Sequence, residues 1–265
     1  MTILETQALT RRFANLTAVD AMTISVARGE VFGLLGPNGA GKTTAIKMLI
    51  TLLPPTSGTA LVAGYDIVRN ARSVRRAIGY VPQMISVDGS LTGYENLLIF
   101  ARLYDIARAE RKARVSAALA LVGLTDAADK LVRQYSGGMI RRLEIAQSTL
   151  HRPPLLFLDE PTVGLDPIAR NAVWNHIERL RADFGTTIFL TTHYMEEAER
   201  LCSRVAIMHL GKIVIDDSPV RLKASIGNTQ ATLGDVFVHY AGEQLESGGS
   251  YRETSRGRRT ARRLG

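Results

Sequence analysis

The sequence predicts an α/β protein with a mostly parallel sheet, an N-terminal antiparallel β subdomain and an inserted α-helical subdomain. Continuous apolar runs at residues 31–35, 155–158 and 187–190 are typical of strands buried on both faces. Between residues 93 and 150 the apolar side chains recur at helical spacing instead. Strands that alternate with helices form a mostly parallel sheet, which binds ligands at the carboxyl ends of its strands.

The N-terminal part contains the strands, loop and helix that begin such a core. Residues 23–27 alternate polar and apolar side chains, as a half-buried strand does. The strand at 31–35 leads into a glycine-rich loop and then into a helical pattern. Two prolines at 54–55 end that helix, because proline lacks the amide proton that a helix needs. Residues 60–62 and 77–81 are two further strand candidates.

A helical subdomain is predicted at about residues 87–150, inserted into the α/β core. Its two apolar stripes consist of Leu97, Leu98, Phe100, Ala101 and Tyr104, and of Val115, Leu119 and Val122. We assign residues 1–240 to one α/β domain that includes this insertion. Residues 241–265 are assigned to a basic C-terminal tail, which we expect to be disordered.

The composition is that of a globular protein without a membrane span. Hydrophobic residues make up 46% of the 265 residues and charged residues 22%, which is ordinary for a soluble domain. No run of about 18 apolar residues occurs, and the N-terminus lacks the layout of a signal peptide. The single cysteine, Cys202, has no disulfide partner in the chain and lies at helical spacing with apolar neighbours. We therefore expect a cytoplasmic protein with a packed, unreactive thiol.

Most of the positive charge lies at the C-terminus. Residues 250–265 contain six arginines and one glutamate, a net charge of +5 out of +8, so the rest of the chain carries only +3. Tails rich in glycine, serine and arginine are mostly solvated and disordered. Contact of this tail with anionic lipid headgroups, or with RNA, is the alternative.

Residues 36–43 fit the pattern G-x-x-x-x-G-K-[ST] of a phosphate-binding loop. Glycines are needed because the backbone amides must turn inward and close on phosphate oxygens. Lys42 is predicted to reach the β- and γ-phosphates, and the Thr43 hydroxyl to bind Mg²⁺. The helix that follows directs the positive end of its dipole at the same anion. The sequence therefore predicts a P-loop NTPase core that binds a nucleoside triphosphate with Mg²⁺.

Two carboxylates, Asp159 and Glu160, end the apolar strand at 155–158. Adjacent strand residues point to opposite faces, so the two side chains need not share a role. Asp159 is placed to hold Mg²⁺ through water. Glu160 is the better candidate for the general base that polarises the attacking water.

Two further polar residues follow predicted strands. His193 comes after the strand at 187–190, where it can contact the γ-phosphate or serve as a hydrogen-bonded structural residue. Gln83 follows the strand at 77–81 and can sense the same phosphate or the metal, or lie on the surface. Both alternatives stay open for each residue on this evidence.

These elements and a Ser-Gly-Gly helix start resemble the nucleotide-binding subunit of an ATP-binding cassette (ABC) transporter. The matching elements, in the family's order, are the Walker A loop (36–43), the Q-loop (Gln83), the signature (135–139), Walker B (155–160), the D-loop (164–166) and the switch histidine (His193). They lie within about residues 3–240.

The resemblance and the motifs together assign roles to individual residues. Nucleotide binding is assigned to Phe13, Gly36, Pro37, Asn38, Gly39, Ala40, Gly41, Lys42, Thr43, Thr44, Ser136, Gly137, Gly138 and Asp166. Catalysis is assigned to Lys42, Gln83, Glu160 and His193, and the metal to Thr43, Gln83 and Asp159. Phe13 lies where the family places an aromatic ring that stacks on adenine; a core phenylalanine is the alternative.

The resemblance also implies an assembly. In this family two cassettes pack head to tail, and each signature closes over the ATP that the other cassette holds. Ser136 and the amides of Gly137 and Gly138, at a helix N-terminus, make a second anion cradle. The resemblance therefore implies an ATP-hydrolysing homodimer, a second copy of this chain being the partner.

Two short stretches indicate the type of transporter. Residues 91–97 and 233–237 resemble those of bacterial drug-export ATPases such as the daunorubicin-resistance group. That group energises a separate integral membrane permease, so we expect a peripheral protein on the cytoplasmic face of the cell membrane. The chain departs from the family pattern at Tyr135, where leucine is usual, at Met139, where glutamine is usual, and at Gly234, where glutamate is frequent.

Two other functions compete with this interpretation. A kinase or GTPase would explain Lys42 and Asp159 but not His193 or the Ser-Gly-Gly segment. A non-transport ABC protein acting on nucleic acid or ribosomes usually carries two cassettes or a long coiled-coil insertion, and this chain has neither. The basic tail is the feature in favour of that second class. We expect no nucleic-acid partner.

Overall fold

The computed structural model of the chain describes residues 1–227 and 231–247, with side chains described up to residue 241. These residues divide into two compact units, one of Met1–Val74 together with the chain from Thr191 onward, the other of Arg75–Leu190. Of the tail predicted at 241–265, residues 248–265 lie outside the described residues. Among the helices described, none has both the length and the hydropathy needed to cross a membrane.

An antiparallel sheet forms the N-terminal part of the first unit, as predicted. The long strand β1 (Thr2–Phe13) pairs with β2 (Leu16–Met22), β3 (Ser25–Ala27) and β5 (Ser57–Val62), and β5 pairs with β6 (Tyr65–Asp66). β3 pairs with the first residues of β1 and β2 with its last, so these two share one edge while β5 takes the other.

The phosphate loop follows a buried strand of the same unit. All five residues of β4 (Val31–Leu35) are buried, as its apolar run predicted. The strand β10 (Arg204–His209) pairs in parallel with β4, and β11 (Lys212–Asp217) pairs antiparallel with β10. Neither β10 nor β11 was predicted from the sequence.

Among its described residues, the first unit contains the helices α1 (Lys42–Leu49), α7 (Met195–Leu201), α8 (Pro219–Ser225) and α9 (Leu233–Ser247). Two elements cross the boundary between the units, namely α2 (Ala71–Ala77) and β9 (Thr187–Thr192). All six residues of β9 are buried, and the strand ends directly before His193.

The second unit contains a parallel strand pair and a set of helices. β7 (Ile78–Val81) pairs in parallel with β8 (Leu155–Asp159), whose residues are all buried. The helices of this unit are α3 (Gly93–Leu103), α4 (Arg108–Leu121), α5 (Gly137–Thr149) and α6 (Pro167–Phe184), with 3₁₀ turns at Thr125–Ala127 and Val132–Gln134.

Helices α3, α4 and α5 share one apolar core, within the range for which a helical insertion was predicted. The predicted stripe residues Leu97, Val115 and Leu119 are buried in it. Helix α3 begins with a capping box, in which the Thr92 hydroxyl accepts from the Glu95 amide and the Glu95 carboxylate accepts from the Thr92 amide. This reciprocal pair satisfies two amides that the first turn leaves unbonded, and so defines where the helix starts.

Candidate functional site

The phosphate loop of the first unit is closed by the side chain of Lys42. Its ammonium donates to the carbonyl oxygen of Gly36 at 2.7 Å and to that of Pro37 at 3.2 Å, and the residue is only 4% exposed. The amide of Gly36 donates to the carbonyl of Thr192 at 3.3 Å, which joins the start of the loop to the end of β9. The start of the loop is therefore bonded both to the loop's own lysine and to the end of β9.

Two positions of this loop admit only glycine. A Cβ on Gly36 would lie 2.3 Å from the carbonyl oxygen of Met208, and a Cβ on Gly41 would lie 2.3 Å from that of Ala18. Gly41 also has a φ of 114°, in the region that side chains disfavour. Close backbone approach thus shapes the concave loop, which suits a polyphosphate in contact with amides rather than with side chains.

The other predicted loop residues lie at the mouth of this cradle or in the helix behind it. Pro37, Asn38 and Gly39 are exposed, and Ala40 is buried. Thr43 and Thr44 are half-buried in the first turn of α1, the helix that begins at Lys42. The hydroxyl predicted to bind Mg²⁺ therefore lies next to the predicted phosphate ligand in the chain.

The structure places His193 beside the phosphate loop. It directly follows Thr192, whose carbonyl binds the Gly36 amide, and its ring centroid lies 4.2 Å from that of Tyr194. Tyr194 was not singled out in the sequence, because a tyrosine after a strand carries no motif of its own. The proximity is what a γ-phosphate contact by His193 requires; the contact itself stays a prediction.

Phe13 lies at the end of β1 and is 38% exposed, so the core alternative does not describe it. The guanidinium carbon of Arg11 lies 4.5 Å from the centre of its ring. A cation over the ring is an ordinary cation–π contact. Stacking of adenine on Phe13 stays a prediction.

In the second unit the structure brings Gln83 and Glu160 together, although they are 77 residues apart. The amide nitrogen of Gln83 donates to Glu160 Oε2 at 3.0 Å. Asp159 and Glu160 are 1% and 5% exposed, so both carboxylates lie in a desolvated environment. Gln83 is exposed, as the surface alternative has it, and its side chain also binds the predicted general base.

The backbone at Glu160 is strained. Its φ of 49° is left-handed, which costs a residue with a side chain about 1–2 kcal/mol. Non-glycine residues in this conformation are concentrated at active sites and ligand clamps. The desolvated environment extends to Tyr80 on the neighbouring strand β7. Burial, and to a smaller extent the charge of Asp159, raises the pKa of its phenol to about 12.

The Ser-Gly-Gly segment forms the N-terminus of α5, a helix of 13 residues. Ser136 caps the helix by accepting from the Met139 amide at 3.3 Å. Ser136 and Gly137 are exposed, whereas Gly138 is buried against α6, where a Cβ would lie 2.7 Å from that of Ala169. The segment therefore presents a serine hydroxyl and free backbone to its surroundings at the positive end of a helix.

Comparison with known proteins decides the family. The family model described as ABC transporter matches residues 19–163. The daunorubicin/doxorubicin resistance ATP-binding protein DrrA of Streptomyces peucetius is 46% identical over 225 residues, which cover 85% of this chain and 68% of that protein. The Nod factor export ATP-binding protein I of Paraburkholderia xenovorans (strain LB400) is 43% identical over 222 residues, with 84% and 73% covered.

The chain belongs to the ATP-binding subunits of ABC transporters. Members of this family hydrolyse ATP. A solved ATP-binding subunit of an ABC transporter superimposes with a TM-score of 0.80 at 30% identity, over 91% of this chain and all of that one. The predicted fold class, an α/β core with a mostly parallel sheet and an antiparallel subdomain, is thereby confirmed.

The departures from the ABC signature pattern have structural explanations. The Tyr135 hydroxyl donates to the Ala127 carbonyl at 2.6 Å, in a buried position that raises the pKa of the phenol. This contact needs a glycine at position 93, where a Cβ would lie 2.3 Å from the hydroxyl oxygen. Met139 packs against the apolar core shared by α3, α4 and α5. Both residues therefore serve the helical packing.

Asp166 of the ABC D-loop caps α6. Its carboxylate accepts from the Ala169 amide at 2.9 Å while the residue stays exposed. The preceding Leu165 comes close to the signature, because a Cβ on Gly137 would lie 3.4 Å from its side chain. D-loop and signature are thus neighbours within the second unit.

The residues predicted to bind the nucleotide and the metal have the chemistry that ATP and Mg²⁺ require. Among the described residues, no three or more of the His, Cys, Asp and Glu side chains are grouped so as to hold a metal ion. Mg²⁺ bound together with phosphates needs only one or two carboxylates and a hydroxyl, with water and phosphate oxygens as the other ligands. Thr43 and Asp159 provide one hydroxyl and one carboxylate, and their role as metal ligands stays a prediction.

Sequence reasoning missed two buried charges on α5, Arg141 and Glu144, which are 6% and 1% exposed. The available signal was their position, because both lie shortly after the signature on a helix that is otherwise partly apolar. Charged residues are usually solvated, so a pair of them was not distinguished from a surface pair.

Proposed function

We propose that this chain binds ATP with Mg²⁺, dimerises on it, and powers export through a separate membrane permease from the cytoplasmic face of the membrane. The observation that carries the proposal is the contrast within one chain between a complete phosphate cradle and an exposed helix start at Ser136 and Gly137. The phosphate cradle suffices to hold a triphosphate. The second has the chemistry of an anion site and supports closure over a nucleotide held by another copy.

Each residue of the chain has a defined task in this proposal. Lys42 and the loop amides hold the β- and γ-phosphates, and Thr43 and Asp159 hold Mg²⁺, which supplies neutralisation of the developing charge. Glu160 orients and polarises the attacking water, and the bond from Gln83 fixes the orientation of its carboxylate. His193 contacts the γ-phosphate from the end of β9.

Dimerisation follows from the chemistry of the two anion sites. A phosphate gripped by loop amides of one copy and by the Ser136 cradle of a second copy joins the two until hydrolysis removes it. Because Glu160, His193 and the signature all occur in this chain, a homodimer contains two complete sites.

The export assignment is supported by the relatives. One confers daunorubicin and doxorubicin resistance by its name and another exports Nod factor. The compounds in these two names differ, while the two proteins are similarly close to this chain, at 46% and 43% identity. We therefore place substrate choice in the permease rather than in this subunit.

The decisive experiment replaces Glu160 with Gln. We expect steady-state hydrolysis to fall at least about a thousandfold, the upper range for loss of a general base, with ATP affinity unchanged. Size-exclusion chromatography should show an ATP-dependent dimer that persists in this variant. Glu110→Gln, on the exposed side of α4, is the matched control. Normal hydrolysis in Glu160→Gln would remove Glu160 from the mechanism, and tight ATP binding without a dimer would refute the assembly.

A further inference from the structure

We propose that Arg141 and Glu144 are positioning residues, which tie the loop that carries Gln83 to the helix that begins with the signature. The inference deepens the proposed function and rests on it, because it concerns how Gln83 is held against the predicted base. It depends on contacts within the second unit only.

Arg141 holds the backbone on both sides of the Gln83 α-carbon. Its guanidinium donates from one nitrogen to the Pro82 carbonyl at 2.7 Å and from the other to the Gln83 carbonyl at 3.0 Å. The planar fork of arginine suits two parallel acceptors, which an ammonium group cannot bind in the same geometry. One buried side chain of α5 therefore fixes the peptide that carries Gln83.

Glu144 holds the other end of the same loop. Its Oε1 accepts from the Ser86 amide at 2.6 Å and from the Ser86 hydroxyl at 2.9 Å, and its Oε2 lies 3.0 Å from Arg141. Burial raises the pKa of this carboxyl, against the opposing effects of Arg141 and Ser86. The loop from Pro82 to Ser86 is thus bound at two points that are one helical turn apart.

Between these two points the loop is exposed. Met84 and Ile85 are 82% and 65% exposed, whereas the Gln83 side chain points to Glu160. Helix α5 is continuous from Gly137, so a shift of its N-terminus is transmitted to Arg141 one turn later. The pair therefore makes the position of Gln83 depend on the position of the signature.

A role in stability alone does not account for the arrangement. A buried ion pair loses about as much in desolvation as it gains in attraction, and apolar residues of similar volume often stabilise as well. What an apolar pair cannot do is bind two backbone carbonyls and a backbone amide of one loop. The free-energy cost of burying these two charges is therefore offset by contacts that fix the position of the loop.

The test uses the full-length protein with Arg141→Lys and Glu144→Gln. Lysine keeps the charge and loses the fork, and glutamine keeps an acceptor for Ser86 and loses the ion pair. We expect kcat, measured at saturating ATP, to fall about tenfold to a hundredfold, as misplacement of a catalytic group does. ATP affinity should stay within about twofold of wild type, because no phosphate contact changes.

A double-mutant cycle with Gln83→Ala separates positioning from folding. If Arg141 acts through Gln83, Arg141→Lys reduces kcat in the wild-type background and has no further effect on Gln83→Ala. Hydrogen exchange should rise at residues 83–86 and not along α5. Arg114→Lys, which alters an ion pair of α4 with Glu110 at 3.5 Å, is the control.

The outcomes are distinct. Equal losses of kcat in both backgrounds, or a lower melting temperature with unchanged kcat and unchanged exchange at residues 83–86, would overturn the positioning role. Glu160→Gln is measured beside them. If it hydrolyses ATP normally, Glu160 is not the base and the proposed mechanism fails, whereas its inactivity together with normal Arg141→Lys and Glu144→Gln proteins refutes the positioning pair alone.

Discussion

Phosphate binding is predicted at two glycine-bearing helix starts, and these two are built in opposite ways. At the phosphate loop the glycines are enclosed, with backbone carbonyls 2.3 Å from where a Cβ of Gly36 or Gly41 would stand. At the signature, Ser136 and Gly137 are exposed, and the nearest atom to a Cβ on Gly137 is a leucine methyl at 3.4 Å. The first is shaped by its own unit, and the second is open to another molecule.

Because of this difference, the two sites depend on their surroundings to different degrees. The enclosed loop already has its lysine in place, bound to two loop carbonyls, so it needs no partner to be formed. The signature offers only a hydroxyl, two amides and a helix dipole, too little to hold a triphosphate alone. Substitutions should therefore separate nucleotide binding from dimer closure, and the following variants test that separation.

The largest effect is expected for Gly41→Ala. The new Cβ would clash with the Ala18 carbonyl and the φ of 114° would be strained, so the loop must move. We expect ATP affinity to fall at least about a hundredfold, which corresponds to about 2.8 kcal/mol. Isothermal titration of ATP into the variant measures it.

Gly64→Ala is the matched control for strain. Gly64 has a φ of +84° in the same unit, yet nothing lies within 4 Å of its added Cβ. It should lose stability and keep ATP affinity. Wild-type affinity in Gly41→Ala would show that the enclosed loop is not the nucleotide site.

The second effect concerns the open site. Ser136→Ala removes the hydroxyl and the cap of α5, at a cost of about 1 kcal/mol in the free energy of unfolding. We expect ATP affinity of the monomer to be unchanged and hydrolysis to fall about a hundredfold, the usual loss for one donor to a developing charge. ATP-dependent dimerisation, followed by light scattering, should disappear.

Ser218 is the matched control, because it caps a helix in the same way but lies at no predicted phosphate site. Its hydroxyl accepts from the Arg221 amide at 3.3 Å at the start of α8, the same distance as in the Ser136 cap. Ser218→Ala should match the stability loss and retain dimerisation. A Ser136→Ala protein that dimerises normally on ATP would contradict the half-site interpretation.

Much of the core was predictable because a local run of apolar residues is enough to indicate a buried strand. The apolar runs that form β4, β8 and β9 are buried on both faces. The loop after β4 has glycines and a lysine at a spacing that few other structures require. The strands β10 and β11 were missed for a physical reason. β10 pairs with β4, about 170 residues away in the chain, and β11 pairs with β10 in turn. No local periodicity reports the distant partner on which this pair of strands depends.

The site was predictable as a set of residue types and not as a set of distances. Sequence order placed Gln83 and Glu160 after separate strands, but only parallel pairing of β7 with β8 brings them into hydrogen-bond contact. Arg141 and Glu144 were overlooked because burial of a charged side chain depends on backbone acceptors and donors that the sequence does not identify. Contacts through main-chain atoms are invisible to residue patterns.

The smallest effect is expected for Tyr135→Phe, which tests whether the unusual signature residue serves packing or phosphate. The variant loses the hydrogen bond from the tyrosine hydroxyl to the Ala127 carbonyl. That carbonyl still accepts a hydrogen bond from the Lys130 amide, so it is not left unsatisfied. The free energy of unfolding in urea should therefore fall by about 1 kcal/mol, with ATP-dependent dimerisation within about twofold of wild type. Tyr240→Phe, which breaks an exposed bond to Ser225, should cost less. Loss of dimerisation in Tyr135→Phe without loss of stability would instead place the tyrosine hydroxyl in the open site.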